Sequence, residues 1–218
     1  EQAVDARGAE IAKGWAASLT MGAGQFCTNP GIAILPKGEQ VDRFIEEMTA
    51  QLEQVEPQTM LTSGIAEAFH NDRDRIAGTV GVQSILQTSG NMRNATPYLF
   101  QTTGDEWLNN ESLGEEVFGP LGMVILADNP SQIYEIAQSL TGQLTCTIHM
   151  ENEDVPVARR LLPILERKAG RLIANGFPTG VEVSDAMVHG GPYPASTNFG
   201  ATSVGTLSIR RFLRPVCY

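Results

Sequence analysis

Short, continuously apolar runs alternate with segments of helical periodicity along most of this chain. The runs "GIAILP" (31–36), "GMVILAD" (122–128) and "GRLIAN" (170–175) have the length of strands and are apolar at nearly every position. Strands of that kind are typical of sheets that helices cover on both faces. The clearest helix is predicted where apolar residues recur at spacings of three and four, at Val41, Phe44, Ile45, Met48, Leu52 and Val55. The alternation predicts an α/β fold with three layers (α/β/α).

Weaker patterns fill the intervals between these segments. Strands are predicted at 84–88, 97–102 and 144–150. Helices are predicted at 3–20, 64–77, 129–140 and 155–168. Asn129 or Ser131 is expected near the cap of the helix at 129–140, and Pro163 is expected to kink or break the helix at 155–168. After Asn175 the chain becomes rich in glycine, proline and small polar residues, which predicts an ordered loop that lines a site.

Composition and charge exclude several classes of protein. The 218 residues carry a formal net charge of −10, which argues against non-specific nucleic-acid binding. No apolar run has the roughly 18 residues of a membrane span. The cysteines are three and widely spaced, which indicates neither a disulfide framework nor a zinc ribbon and favours a reducing, cytoplasmic setting: Cys27, Cys146 and Cys217. The three histidines are equally scattered, so no metal site is expected: His70, His149 and His189.

One cysteine lies in an unusual local sequence, "GAGQFCTNPG" (22–31). Most cysteines are small, inert core residues, and Cys27 is open to that interpretation. Against it, three nearby glycines permit backbone angles closed to other residues, and the flanking side chains are polar. A free thiol is already a few per cent ionised near neutral pH, so a slight electropositive environment activates it. The alternative hypothesis is that this turn presents the Cys27 sulfur as a nucleophile.

A second motif, "LGEEVFGPLG" (113–122), has two adjacent carboxylates before an aromatic residue. It is consistent with a solvated acidic turn that leads into a strand. The alternative is a ligand site, in which a carboxylate accepts hydrogen bonds from a polyhydroxyl ligand and Phe118 forms an apolar wall.

Taken together, the motifs "GQFCTNPG" and "GEEVFGPLGMVI" resemble those of the NAD(P)-dependent aldehyde dehydrogenases. "GRLIAN" and "HGGPYP" follow in the order that the family shows, so the resemblance covers nearly the whole chain. It is nearest to the branch of α-ketoglutaric semialdehyde dehydrogenases and NADP-dependent fatty aldehyde dehydrogenases, since most other members have P-F-G-G at the later position. The resemblance implies that residues 1–218 form an aldehyde-dehydrogenase-like catalytic domain.

The resemblance also implies roles for individual residues. Cys27 would attack the aldehyde carbonyl to give a thiohemiacetal, and a thioester on its sulfur would then be hydrolysed to the carboxylic acid. Glu116 matches the residue that binds the nicotinamide ribose, and Phe118 matches the aromatic residue beside the nicotinamide. Gln25 and Asn175 lie at positions that line or support the site.

His189 is assigned in two ways. A lone histidine in a glycine-rich loop is often structural or exposed. In the branch that this chain resembles, however, a histidine of this loop approaches the catalytic cysteine, where it would bias the thiolate or hold water. The other two histidines and the other two cysteines have no comparable context and are interpreted as structural.

The resemblance places further parts of the enzyme outside this chain. The family's general-base glutamate, oxyanion asparagine and cofactor-binding domain precede the cysteine, and a C-terminal tail follows. The chain starts at Glu1 inside a helical pattern, and we expect it to be a piece of a longer, homo-oligomeric protein (dimer or tetramer) that is inactive without its cofactor-binding domain. NADP is favoured over NAD. The expected substrate is α-ketoglutaric semialdehyde, with fatty aldehydes as the alternative.

Two hypotheses from other classes remain open. One is a cysteine hydrolase with Cys27, His189 and Asn175 as nucleophile, base and orienting residue. The other is a binding or assembly domain in which Cys27 is inert.

For a semialdehyde that carries a carboxylate, Arg73 and Arg75 are the cations that we consider, although the sequence does not place either of them at the site.

Overall fold

The computed structural model describes residues 1–218, which form six helices and eight strands with α and β elements alternating along most of the chain. The helices are α1 (Gln2–Thr20), α2 (Glu39–Glu53), α3 (Ser63–Ala77), α4 (Gly104–Asn109), α5 (Pro130–Ser139) and α6 (Val155–Leu165). The strands are β1 (Ile32–Pro36), β2 (Gln58–Thr59), β3 (Val82–Leu86), β4 (Asn94–Ala95), β5 (Tyr98–Thr103), β6 (Leu121–Ala127), β7 (Gln143–Ile148) and β8 (Ala169–Ala174). None of the helices is both long and apolar enough to cross a membrane.

A four-stranded sheet with the order β1-β6-β5-β3 forms the middle layer. Strands β1, β6 and β5 are parallel, and β3 joins the β5 edge in the antiparallel direction. Strand β6 pairs on both sides and is buried along its whole length. Its continuous apolar sequence is therefore explained, because neither of its faces meets water.

Alternate side chains of the sheet pack into two separate cores. Leu99 and Val124 face α1 and α2, where they contact a cluster that includes Trp15. Phe100 and Ile125 face the opposite way, into a cluster with residues of α3, α4 and α5. Helices thus cover both faces of the sheet, and the predicted α/β fold with three layers is confirmed.

Strands β7 and β8 form a separate two-stranded parallel sheet. Nearly all of their residues are half-buried rather than buried. The short β2–β4 ladder and helix α4 were not predicted, since segments of two to six residues are too short to show a period.

Several local predictions can now be compared with the structure. Asn129 caps α5, since its Oδ1 accepts hydrogen bonds from the backbone N–H groups of Ser131 (3.0 Å) and Gln132 (3.1 Å). Pro163 does not break α6, which continues to Leu165. The proline is exposed on that helix, so the hydrogen bond that it removes lies on the solvent side.

Candidate active site

The segment between α1 and β1 turns sharply before Cys27. Gly22, Ala23 and Gly24 have φ angles of 57°, 58° and 68°, so three successive residues adopt the left-handed conformation. The side chain of Asn29 braces this turn by donating from Nδ2 to the carbonyls of Leu19 (2.7 Å) and Gly24 (3.2 Å). Cys27 lies at the end of the turn, and its side chain is exposed.

The turn packs directly on the second motif. A Cβ built at Gly24 would lie 2.5 Å from the carbonyl oxygen of Gly119 and closer still to the adjoining backbone atoms of Gly119 and Pro120. No side chain fits there, so the close backbone approach explains the glycine. Two motifs that are about ninety residues apart in sequence therefore share one surface.

The acidic residues of the second motif differ in their partners. Glu115 lies 3.3 Å from Arg75 Nη2 in an ion pair. Glu116 is exposed and forms no hydrogen bond or ion pair within the chain. Phe118 is 38% exposed, which is a large fraction for an aromatic side chain. An unpaired carboxylate and an exposed ring lie two residues apart in sequence, and these group types are compatible with the ribose diol and the aromatic ring of a nicotinamide nucleotide.

His189 approaches Cys27 from the irregular loop after β8. Its Nε2 lies 3.2 Å from the Cys27 Sγ, although the two residues are 162 positions apart. Its backbone N–H donates to the buried Thr202 Oγ1 at 2.8 Å, and its carbonyl accepts from the N–H of Ser203 at 3.0 Å. Burial lowers the His189 pKa from its ordinary value, and the positive charge of Arg171 lowers the pKa further. The lowered pKa favours the uncharged ring at neutral pH, in which one of the two ring nitrogens accepts a proton.

Of the two lesser candidates, Gln25 braces the turn before Cys27, whereas Asn175 forms no hydrogen bond with Cys27 or His189. The Gln25 side chain donates from Nε2 to the Gly22 carbonyl (2.9 Å) and accepts the N–H of Leu61 at Oε1 (2.9 Å). Asn175 has a φ of 53°, accepts the Met150 N–H at Oδ1 (2.8 Å) and donates from Nδ2 to the Met150 carbonyl (3.0 Å). Asn175 also accepts a bond from Arg7 at 3.1 Å, so it joins the ends of β7 and β8 to α1.

The two arginines considered for recognition of a substrate carboxylate have partners within the chain. Arg73 bonds His70 Nδ1 and the Tyr98 hydroxyl, both at 3.0 Å. Arg75 donates to the Ser112 carbonyl at 3.0 Å, in addition to its ion pair with Glu115. Both arginines therefore hold α3 in place.

His149, Cys146 and Cys217 lie outside the Cys27–His189 contact. His149 packs against the Phe177 ring at 4.9 Å, and burial lowers its pKa, with a further lowering from the charge of Arg7. Burial raises the pKa of the Cys146 thiol to about 11, so this second cysteine stays protonated. Cys217 is exposed in the terminal segment.

Sequence reasoning did not identify Arg171 or Thr28, which border the Cys27–His189 pair. Arg171 lies within the apolar run of β8, and Thr28 was seen only as a polar neighbour of the cysteine. Their significance depends on a shared contact to the loop after β8, and no local sequence pattern predicts such a contact.

Comparison with known proteins adds to this geometry. No protein-family model matches the chain. The chain is 47% identical over 222 residues to α-ketoglutaric semialdehyde dehydrogenase 2 of Azospirillum brasilense, a match that covers 99% of this chain and 42% of that protein. It is 44% identical over 220 residues to α-ketoglutaric semialdehyde dehydrogenase of Acinetobacter baylyi, covering 100% of this chain and 42% of that protein. The chain thus spans less than half the length of these relatives.

Solved structures share the fold at lower sequence identity. Proline utilization A from Bdellovibrio bacteriovorus superposes with a TM-score of 0.80 at 21% identity, over 98% of this chain and 22% of that chain. Lactaldehyde dehydrogenase from Escherichia coli superposes with a TM-score of 0.78 at 18% identity, over 94% of this chain and 43% of that chain. Given the relatives at 44–47% identity and the shared fold, the chain belongs to the aldehyde dehydrogenase superfamily.

Proposed function

We propose that this chain supplies the cysteine-bearing catalytic domain of an NAD(P)-dependent aldehyde dehydrogenase. The observation that carries the proposal is the exposed Cys27 sulfur, 3.2 Å from the Nε2 of His189. The turn that leads to this sulfur packs on Gly119, which follows the Glu116–Phe118 segment. Nucleophile, proton acceptor and a surface suited to a nucleotide thus lie on adjoining segments.

Activation of the thiol is the first step that these residues support. The uncharged His189 accepts the Cys27 proton at Nε2, and the sulfur adds to the aldehyde carbon. The aldehyde oxygen becomes an oxyanion in the resulting thiohemiacetal. The backbone N–H of Cys27 donates to no backbone acceptor in the chain, so it is available to this oxyanion.

The second step needs a hydride acceptor, and we assign Glu116 and Phe118 to its binding. The exposed Glu116 carboxylate would accept hydrogen bonds from the ribose hydroxyls, and the Phe118 ring would lie beside the nicotinamide. When bound, a nicotinamide would accept the hydride that leaves the carbon attached to Cys27. Cys27 then carries the acyl group as a thioester until water releases the carboxylic acid and the free thiol.

The rest of the machinery belongs, in this proposal, to parts of the protein outside this chain. The named relatives are more than twice as long as this chain. We assign to that additional length a cofactor-binding domain, which would supply the base for thioester hydrolysis and the choice between NADP and NAD. We favour NADP, and we expect the whole protein to assemble as a dimer or tetramer in the cytoplasm.

The proposed substrate is α-ketoglutaric semialdehyde, which would be oxidised to 2-oxoglutarate. Support comes from the names of the two relatives at 44–47% identity. Neither Arg73 nor Arg75 supports recognition of the substrate carboxylate, since both have partners within the chain. A long-chain aldehyde is the alternative substrate.

The test uses the full-length gene product that contains this chain. We expect NAD(P)H to form faster with α-ketoglutaric semialdehyde (2,5-dioxopentanoate) than with a long-chain aldehyde. We expect Cys27→Ala to abolish that activity. The matched control is Cys217→Ala, an identical change at the other exposed cysteine, which should retain wild-type turnover. Turnover that survives in Cys27→Ala would refute the proposal.

The cysteine-hydrolase alternative lacks its third residue in this structure. A hydrolase triad has an orienting residue bonded to the second nitrogen of its histidine, and His189 Nδ1 has no hydrogen-bond partner. The Asn175 amide is bonded to Met150 and Arg7 instead. The Cys27–His189 pair is therefore better suited to the dehydrogenase than to a triad hydrolase.

A further inference from the structure

Arg171 is a half-buried arginine that forms no ion pair with any carboxylate of the chain. Its guanidinium donates instead to two backbone carbonyls, from Nη2 to Pro178 (2.6 Å) and from Nη1 to Gly180 (3.0 Å). The Nη1 atom also lies 3.7 Å from the sulfur of Met187. A planar guanidinium is able to hold two acceptors in fixed positions at once, which the single ammonium of a lysine does less well.

The Pro178 carbonyl is shared with the cysteine loop. Thr28, the residue after Cys27, donates from Oγ1 to this same oxygen at 3.0 Å, and the Thr28 side chain is buried. The hydroxyls of Ser18 on α1 and Thr179 are also in contact. One stretch of backbone after β8 is therefore attached both to Arg171 and to the segment that bears the nucleophile.

The same loop continues to His189. The Arg171 contacts extend along the segment from Pro178 to Met187, and His189 follows two residues later. Thr202 accepts the His189 backbone N–H. Two titratable or charged groups face His189: the Cys27 thiol at 3.2 Å and the Arg171 guanidinium, whose charge acts on the ring. No carboxylate forms an ion pair with the His189 ring.

We propose that Arg171 is a positioning residue: its guanidinium fixes the loop that bears His189 against Thr28 and thereby holds His189 in contact with Cys27. The proposal rests on the proposed function, in which this pair activates the nucleophile. Arg171 does not touch the reacting atoms in this assignment, and it acts through Pro178 and the loop that follows.

A purely structural arginine would behave differently. If Arg171 only fastened the loop to β8, its replacement would lower stability but would leave the chemistry of Cys27 and His189 unchanged. Measurements on these two side chains, rather than on unfolding, therefore decide between the two roles.

The experiment uses the full-length protein that contains this chain, with Arg171→Met and Arg171→Lys. The matched control is Arg159→Met, because Arg159 is exposed on α6 and forms no hydrogen bond or ion pair. The first measurement is the rate of Cys27 alkylation by iodoacetamide, divided by the Cys217 rate in the same molecule through peptide mass spectrometry. The second is the NMR titration of the His189 Cε1–H, which is assigned with a His189→Gln variant.

We expect both Arg171 variants to lower the Cys27/Cys217 alkylation ratio by about tenfold, as for a lost hydrogen bond from a charged group. In Arg171→Met, we expect the His189 titration to move to higher pH, because the neighbouring positive charge is gone. Arg171→Lys keeps the charge, so the His189 titration should move less than in Arg171→Met. Arg159→Met should match the wild type in both measurements.

A milder variant keeps the test valid if the arginine variants do not fold. Thr28→Val removes one donor to Pro178 without changing any charge, and we expect it to lower the Cys27 alkylation ratio several-fold while the His189 titration stays below its ordinary range. Ratios within about twofold of the wild type in every folded variant would overturn the proposal.

Failure of this inference is distinguishable from failure of the proposed function. Neither measurement requires an aldehyde, a nucleotide or turnover. If the Arg171 variants disturb the pair as expected but Cys27→Ala retains dehydrogenase activity in the full-length protein, the positioning role stands and the proposed function fails. If Cys27→Ala abolishes that activity while the Arg171 variants leave the pair unchanged, only the positioning role is refuted.

Discussion

Gly24→Ala is the substitution that most directly tests whether the cysteine turn must touch the Glu116–Phe118 motif. The new methyl group would lie 2.5 Å from the Gly119 carbonyl oxygen, whereas ordinary contacts begin near 3.4 Å. One backbone must therefore move by about 1 Å, and such overpacking costs about 1–3 kcal/mol. The left-handed φ of 68° adds about 1–2 kcal/mol for an L-residue. We expect the free energy of unfolding to fall by about 2–5 kcal/mol, a large part of the typical stability of a domain.

Urea unfolding followed by tryptophan fluorescence measures this loss, because Trp15 and Trp107 are buried in the two cores on opposite faces of the sheet. Gly64→Ala is the matched control: no atom lies within 4 Å of the added Cβ, and the residue is in the first turn of α3. It should be neutral or stabilising by up to about 1 kcal/mol. A Gly24→Ala protein within about 0.5 kcal/mol of the wild type would refute the reasoning.

Two further predictions concern the dependence of stability on pH. The folded state holds the Cys146 pKa at about 11, so between about pH 9 and 11 the unfolded chain loses a proton that the folded chain keeps. The free energy of unfolding should therefore fall with rising pH by up to about 1.4 kcal/mol per pH unit, and Cys146→Ala, but not Cys217→Ala, should remove this loss in urea titrations. Equal alkaline loss in both variants would contradict the prediction. The pKa values of His149 and His189 are lowered, so the unfolded chain gains protons first as the pH falls below about 6.5, and stability should decrease there. His149→Gln and His189→Gln should each reduce that acidic loss, and stability curves parallel to the wild type would exclude this cause.

Much of the fold was predictable because its signals are local. The 3.6-residue period of α2 and the continuous apolar sequence of β6 reflect which faces are buried. Buried positions carry apolar residues, so the pattern is visible in the sequence itself. The segment from Val82 to Leu86 was less well placed, as its predicted strand (84–88) began two residues late. Strand β3 has an irregular register with β5 between Ser84 and Leu86, which interrupts the alternation that sequence reasoning uses.

The candidate site was predictable only in part, and for a comparable reason. The motif around Cys27 has a sequence signature because its glycines are needed for left-handed turns and a close backbone approach. The catalytic role predicted for His189 rested on the family resemblance alone, since nothing near it in sequence marks a partner. Asn175 has no such local signal either, because the amide bonds a backbone that lies 25 residues away.

The sequence by itself determined the α/β layering, the family resemblance and the turn that exposes Cys27, because each depends on residues within a few positions of one another. Only the tertiary structure decided that His189 lies 3.2 Å from that sulfur. It also decided that Arg171 and Thr28 meet at one carbonyl. Contacts of this kind depend on how distant segments pack. The spacing of apolar residues along the chain does not indicate which side chains that packing brings together.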